Sequence, residues 1–304
     1  MKKKKLMNLV IASLLSVSVL SGCSSSSSEK DKTIVVGPQN ITEVITISYM
    51  IKDLIEQDTD LTVNVVEGMS NTAVVHEAML KGDVDISPRY VGTDITGALD
   101  IQDVPRDRAD AFKMVNEGFQ QKFNMTWFPS YGFENTYAFT IRKDIADKLK
   151  LEKVSDLVPH AKDMKLGTDN GWLERPLDGY PAFKKVYGME FAKAAPMDIG
   201  LVYKAVKEEE FDVVLAYSTD ARLKEYNLKT LKDDQDFFPP YEVCSVVNNS
   251  TLEKHPEIKD SLNKLVGLID AETMTDLNYQ VDVKQVEPAE VAKAFLVEKG
   301  LLKQ

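Results

Sequence analysis

"SPRYVGTDITG" (87–97) and "FDVVLAYSTD" (211–220) decide how this chain is read. Each carries a hydrophobic run that ends on a tyrosine, Tyr90 or Tyr217, and then turns through a Thr-Asp pair, Thr93-Asp94 or Thr219-Asp220. In both an aspartate lies five residues before the tyrosine, Asp85 and Asp212. A tyrosine at the end of a strand and the start of a turn, placed twice in separated halves, predicts two similarly built units with equivalent positions.

The surrounding chain alternates between strand and helix. "TIVVG" (33–37) reads as a buried strand. The stretch 43–56 sets Val44, Ile47, Ile51, Leu54 and Ile55 at helical spacing. "LTVNVVEG" is a second strand; Ser70 or Asn71 caps a helix over "TAVVHEAMLKG", which Gly82 stops. "DVDISPRY" is a third, with Pro88 predicting an edge or a departure from the sheet. A helix over about 105–123 leads to "MTWFPSYGF". The pattern then restarts: "NTYAFTIR", "MKLGT" and "FDVVLAY" as strands, "PLDGYPAFKKVYG" and "MDIGLVYKAVKEEE" as helices. After "FFPPYEVCSVV" the tail is helical over 257–268, 271–279 and 288–299. Such β–α repetition predicts an α/β fold with mostly parallel sheets. The turn residues of "PSYGF" and "FFPPY" place two crossings near Tyr131 and Tyr241. The expected organisation is lobe I over 33–130 plus 243–304, lobe II over 131–242, and a cleft between. Ligands of open α/β sheets bind beyond the carboxyl ends of strands, where Tyr90 and Tyr217 fall.

The first 32 residues stand apart. Lys2 to Lys5 form a basic region, Leu9 to Leu20 an apolar one too short to span a bilayer, and then comes "LSGC". Leu20-Ser21-Gly22-Cys23 resembles a bacterial lipobox, so 1–22 is expected to be a signal peptide and Cys23 a lipidated residue. The Ser-rich stretch 23–32 reads as a tether, and the mature protein as anchored to the outer face of the cell membrane. Cleavage leaves Cys244, too isolated for a disulfide and with no catalytic signature around it, hence a buried small hydrophobe.

Composition narrows the function. Acidic residues outnumber basic ones by 48 to 37, with no Lys/Arg cluster in the body, which argues against nucleic acid. No phosphate loop, G-x-G-x-x-G or G-x-S-x-G is present. His76, His160 and His255 lie far apart without metal-ligand spacing, so neither metal nor cofactor is expected. Carboxylates are abundant, but no pair separates from solvated helix faces, and a cell-envelope enzyme using cleft carboxylates stays open as an alternative.

Longer segments then point to a family. "RYVGTDITGAL", "SYGFENTYAFTI", "IGLVYKAVKEEEFDVVLAYSTDARL", "LKDDQDFFPPYE" and "MTDLNYQVD…EPAEVAKAFL" resemble the glycine betaine/carnitine/choline-binding lipoproteins of Gram-positive ABC importers, in order and across nearly the whole mature chain. The resemblance implies a periplasmic-binding-protein fold of two α/β lobes joined by two crossovers. It also implies closure on a ligand and delivery to a permease and, through it, an ATPase subunit; a monomer is expected. It implies a cage of Tyr90, Tyr137, Tyr217 and Tyr241. A trimethylammonium group offers no N–H, and aromatic faces hold its diffuse charge and its methyls together. Gln39, with Asn40 as the alternative, and Thr93 are implied at the ligand's tail. A threonine donates to a carboxylate, where the aspartate of choline-restricted relatives repels it. Glycine betaine and carnitine are thus favoured, with choline admitted. Another cationic or amphiphilic compound on the same scaffold is the alternative. Trp127 is expected in the core, Trp172 at the surface of its lobe, and Tyr131, Tyr180, Tyr187 and Tyr203 in structural roles.

Overall fold

The computed structural model describes residues 32–169, 171–174, 179–198 and 200–303. The signal peptide, nearly all of the tether, and Cys23 lie outside the described residues.

The first half runs β1 (Thr33–Val36), α1 (Thr42–Asp58), β2 (Thr62–Val65), α2 (Thr72–Lys81), β3 (Ile86–Tyr90), α3 (Val91–Gly97), α4 (Arg108–Phe123) and β4 (Met125–Glu134). The second runs β5 (Tyr137–Arg142), α5 (Lys143–Leu149), β6 (Lys165–Asp169), α6 (Tyr180–Tyr187), β7 (Lys193–Met197), α7 (Val202–Lys207), β8 (Val213–Tyr217), α8 (Ala221–Glu225) and β9 (Leu228–Thr230). The chain then returns through β10 (Glu242–Asn248), α9 (Asn249–Lys254), α10 (Ile258–Asn263), α11 (Ala271–Asp282) and α12 (Pro288–Glu298).

Local chemistry explains these limits. The five apolar residues singled out between 43 and 56 are all buried in α1, against Val291, Ala292, Phe295 and Leu296 of α12. That contact ties the helical tail to the first lobe, and Gln57 adds hydrogen bonds to the Leu301 carbonyl and the Lys303 N–H. Asn71 caps α2 by accepting from the Val74 N–H at 3.0 Å, and Gly82 ends it with φ 76°. Asp107 caps α4 in the same way, so that helix starts at Arg108 and not at 105.

The two sheets share one plan, β2-β1-β3-β10-β4 and β7-β6-β8-β5-β9. In each, the first three strands are parallel and the last two antiparallel. The expectation of mostly parallel sheets is therefore corrected to mixed ones. Counting β–α alternation finds only the parallel half, because β4, β5 and β10 connect across the lobes without an intervening crossover helix. β3 and β8 are the equivalent central strands. Ahead of each, the singled-out aspartate makes the same two contacts. Asp85 accepts from the Val35 N–H at 2.8 Å and donates its own N–H to the Val35 carbonyl. Asp212 does both with Lys165.

Three more expectations change. Pro88 lies in the central strand of its sheet and not in an edge strand, paired with Ser245 of β10. A proline is tolerated there because the β1 ladder has already ended at Val36–Ile86, leaving that flank without a partner strand. The first crossing lies at Asn135-Thr136 and not near Tyr131, since β4 continues to Glu134. The "PSYGF" breakers produce register shifts against β10 instead of a crossing, with Gly132 at φ 116° packed so closely that a Cβ would meet the Ile269 carbonyl at 2.8 Å. Trp172 is fully buried in the lobe II core among Phe139 and Phe183, not at the surface. Trp127, Tyr131 and Cys244 are buried as expected.

Candidate functional site

A cavity of about 570 Å³ opens between the lobes at the carboxyl ends of β3 and β8. Its walls include all six residues singled out for a ligand: Tyr90, Tyr137, Tyr217, Tyr241, Gln39 and Thr93. Asn40 is not among the lining residues; it is exposed and donates its N–H to the Met69 carbonyl.

Each tyrosine is placed by a different device. Tyr90 is the last residue of β3 and is only 6% exposed, its hydroxyl donating to Glu43 Oε1 at 2.6 Å. Burial, then the Glu43 charge, hold that phenol well above its ordinary range. Tyr217 ends β8 and is 37% exposed, so its ring faces the cavity. Tyr137 begins β5 directly across from it, and the two rings stack at 5.4 Å and 26°. Phe238 also packs on Tyr137, tilted, at 5.7 Å. Tyr241 sits just before β10, over the first turn of α3. A Cβ on Gly92 would meet the Pro240 carbonyl at 2.7 Å and the Tyr241 ring at 3.1 Å, so the missing side chain at Gly92 admits that ring.

Polar groups complete the lining. Gln39 Oε1 accepts from Thr72 Oγ1 at 2.6 Å, which orients the amide. Thr93 lies on α3, with its carbonyl accepting from Thr96 Oγ1 at 3.2 Å. Arg222 also lines the cavity, but its guanidinium is engaged. It donates to both oxygens of Asp220 at 2.8 and 2.6 Å and to the Gly200 carbonyl at 2.9 Å, and it stacks over Tyr203. Asp282, hydrogen-bonded to Thr42 Oγ1 at 2.7 Å, has its carboxyl pushed up by burial.

Glu43 escaped the sequence reading. It is 1% exposed in the first turn of α1, where a carboxylate complements the helix dipole, and it lines the cavity. Oε1 accepts from Tyr90 Oη and from Asn135 Nδ2 at 2.9 Å; Oε2 accepts from Thr219 Oγ1 at 2.7 Å and from Asn278 Nδ2 at 3.3 Å. The signal was present: Glu43 shares the helical face of Ile47, Met50 and Leu54, all fully buried. A carboxylate on such a face needs partners. Nearby, the side-chain oxygens of Asn135, Thr136 and Asn278 are buried without a protein partner among the described residues, and these three also line the cavity. No group of three or more His, Cys, Asp or Glu able to hold a metal occurs among the described residues.

A two-lobed α/β molecule with its cavity at the interlobe strand ends invites comparison with known binding proteins. Residues 32–298 match the family model described as the substrate binding domain of ABC-type glycine betaine transport systems. The chain belongs to this family. It is 47% identical over 300 residues, 97% of either chain, to the carnitine transport binding protein OpuCC of Listeria monocytogenes. It is 36% identical over 230 residues to the ergothioneine transport permease/ergothioneine binding protein EgtU of Helicobacter pylori, covering 76% of this chain and 41% of that longer one. Among solved structures, one described as a glycine betaine/carnitine/choline ABC transporter superposes with a TM-score of 0.84 at 45% identity, covering 89% of this chain and all of the other. As a member of the family the chain is a substrate-binding protein of an ABC importer, and these relatives are transport proteins, not enzymes.

Proposed function

We propose that this protein captures a quaternary ammonium compound, glycine betaine or carnitine with choline also admitted, between its lobes and hands it to a membrane permease. It does so without chemical change to the ligand, at the outer membrane face, held there by a lipid on Cys23. The observation that carries this reading is the convergence of four tyrosines from both lobes and a crossing on one cavity. The cationic side chain in its lining, Arg222, is held by Asp220.

The chemistry follows from the ligand. A trimethylammonium group is bound by ring faces, each contributing roughly 0.5–2 kcal/mol, so four walls supply about 2–8 kcal/mol. Micromolar affinity needs about 8 kcal/mol beyond the cost of association, so the far end of the ligand contributes as well. That end falls to Gln39 and Thr93. With Gln39 Oε1 engaged by Thr72, its amide nitrogen is the donor left for a carboxylate, and the Thr93 hydroxyl is a second.

Calorimetric titration of the purified protein with glycine betaine, carnitine and choline tests the reading. Saturable binding of a carboxylated amine is expected. Thr93→Asp should weaken the two carboxylated ligands by about tenfold or more while sparing choline, because it sets like charges together. Absence of heat and of thermal stabilisation with all three compounds would sink the proposal. Binding of choline alone would remove the role given to Thr93. Ergothioneine belongs in the same panel because it also carries a trimethylammonium group beside a carboxylate.

A further inference from the structure

We propose that Glu43 is a positioning residue that latches the lobes: its buried carboxylate is the shared acceptor that holds the Tyr90 ring of lobe I and the Thr219 turn of lobe II in one closed arrangement. The inference adds a residue to the site of the preceding reading, but its structural half does not depend on what the ligand is.

Four donors from four parts of the chain meet on this one side chain. Tyr90 ends the central strand of lobe I, Thr219 follows the central strand of lobe II, Asn135 lies in the first crossing, and Asn278 comes from α11 of the returning tail. The two carboxylate oxygens have about four acceptor directions, and these donors fill them. Asn278 closes a ring by also donating to the Thr219 carbonyl at 2.8 Å. Thr219 and Asn278 are themselves buried, so opening the lobes along this seam leaves a carboxylate, a hydroxyl and an amide to be rehydrated together. Glu43 therefore joins two events that the fold alone keeps separate. It fixes the orientation of a ring that belongs to one lobe, and it does so with the same group that grips the other. A side chain serving only the stability of lobe I would not need a partner from lobe II.

The test is a double-mutant cycle across the seam, Glu43→Gln and Thr219→Val, with Thr219→Ser as the conservative control. Affinity is read by calorimetry with glycine betaine, and the radius of gyration is read by solution scattering without any ligand. The glutamine keeps the size of Glu43 but turns one acceptor into a donor. It should weaken binding by about 30-fold, and Thr219→Val by about tenfold. The double variant should stay near the 30-fold of the first, because both changes remove the same interlobe bond, whereas independent sites would multiply toward about 300-fold. Thr219→Ser should bind as the unmodified protein does. Without ligand, both Glu43→Gln and Thr219→Val should be more expanded than the unmodified protein. Multiplicative losses, or an unchanged radius in both variants, would overturn the latch. If Glu43→Gln does not fold, the comparison of Thr219→Val with Thr219→Ser carries the test, and equal affinity and equal radius for these two would overturn it. Should the unmodified protein bind no quaternary amine, the ligand reading falls, while the scattering measurement still decides the latch.

Discussion

The strand ends of β3 and β8 are equivalent by topology and opposite in environment. Both stop on a tyrosine, both are preceded by an aspartate tied to the neighbouring parallel strand, and both are followed by a short helix, with the Thr-Asp pair inside it in lobe I and ahead of it in lobe II. In lobe I the charged groups behind the tyrosine are buried. Arg89 and Asp94 form a buried ion pair, with Arg89 Nη1 also 3.4 Å from His76 Nδ1, and the Tyr90 hydroxyl is taken by Glu43. In lobe II an Arg–Asp pair of different origin, Arg222 and Asp220, lies in the cavity wall with the arginine about a third exposed, and the Tyr217 ring is open to the cleft. One fold position has thus been used twice, once as a fixed wall and once as an approachable one. A cleft that closes on a ligand needs both: a rigid surface to define the pocket and an accessible one to meet the ligand first.

That contrast gives graded expectations. The largest concerns the two ion pairs. Asp94→Asn strands a buried guanidinium and should cost about 3–5 kcal/mol of stability, whereas Asp220→Asn, which leaves a partly solvated arginine and a weakened helix cap, should cost about 1 kcal/mol. Chemical denaturation of the two variants checks this, and equal losses would contradict the difference in environment. Next come the rings. Tyr217→Ala should weaken a quaternary amine by about 30-fold with little change in unfolding midpoint. Tyr90→Ala should lose both binding and about 3 kcal/mol of stability. A smaller effect separates the hydroxyls. Tyr90→Phe removes a donor from Glu43 and should cost about 1–2 kcal/mol, while Tyr217→Phe stays within about 0.5 kcal/mol.

The smallest is a pH effect confined to lobe I. Burial, and then the Arg89 charge, depress His76 from its ordinary 6.5 to about 4. The unfolded chain therefore takes up a proton near pH 6.5 that the folded one refuses until about pH 4, and stability falls as the pH drops through that window. Solvent still reaches part of the ring, so the loss is about 1 kcal/mol. Thermal unfolding between pH 7 and 4.5 should show it in the unmodified protein, and His76→Gln should flatten it.

The sequence carried the parallel half of the first sheet, and β6 and β8 of the second, because Val, Ile and Leu runs alternate with helical periodicity from Thr33 to Tyr90 and again before Tyr217. It also carried the six ligand candidates, through motifs whose wording resembles a family. What it hid depended on partners distant along the chain. β4 and β10 announce no pairing of their own, and "KAAPM" (193–197), short and holding Pro196, does not look like a strand until β6 lies beside it. Trp172 sits in a Gly- and Asp-rich stretch that reads as surface, and only the Phe139–Phe183 cluster shows why it is buried. Glu43 was hidden for the same reason. Its face was readable, but its four donors come from residues 90, 135, 219 and 278, and no local pattern assembles them.

Rings from both lobes are expected to hold one cation. A crystal structure of the protein with bound glycine betaine tests it most directly. The trimethylammonium nitrogen is expected within about 6 Å of the ring centroids of both Tyr90 and Tyr217, with the carboxylate toward Gln39 and Thr93. A ligand seated against the rings of one lobe only, or with its carboxylate turned toward the tyrosines, would contradict it.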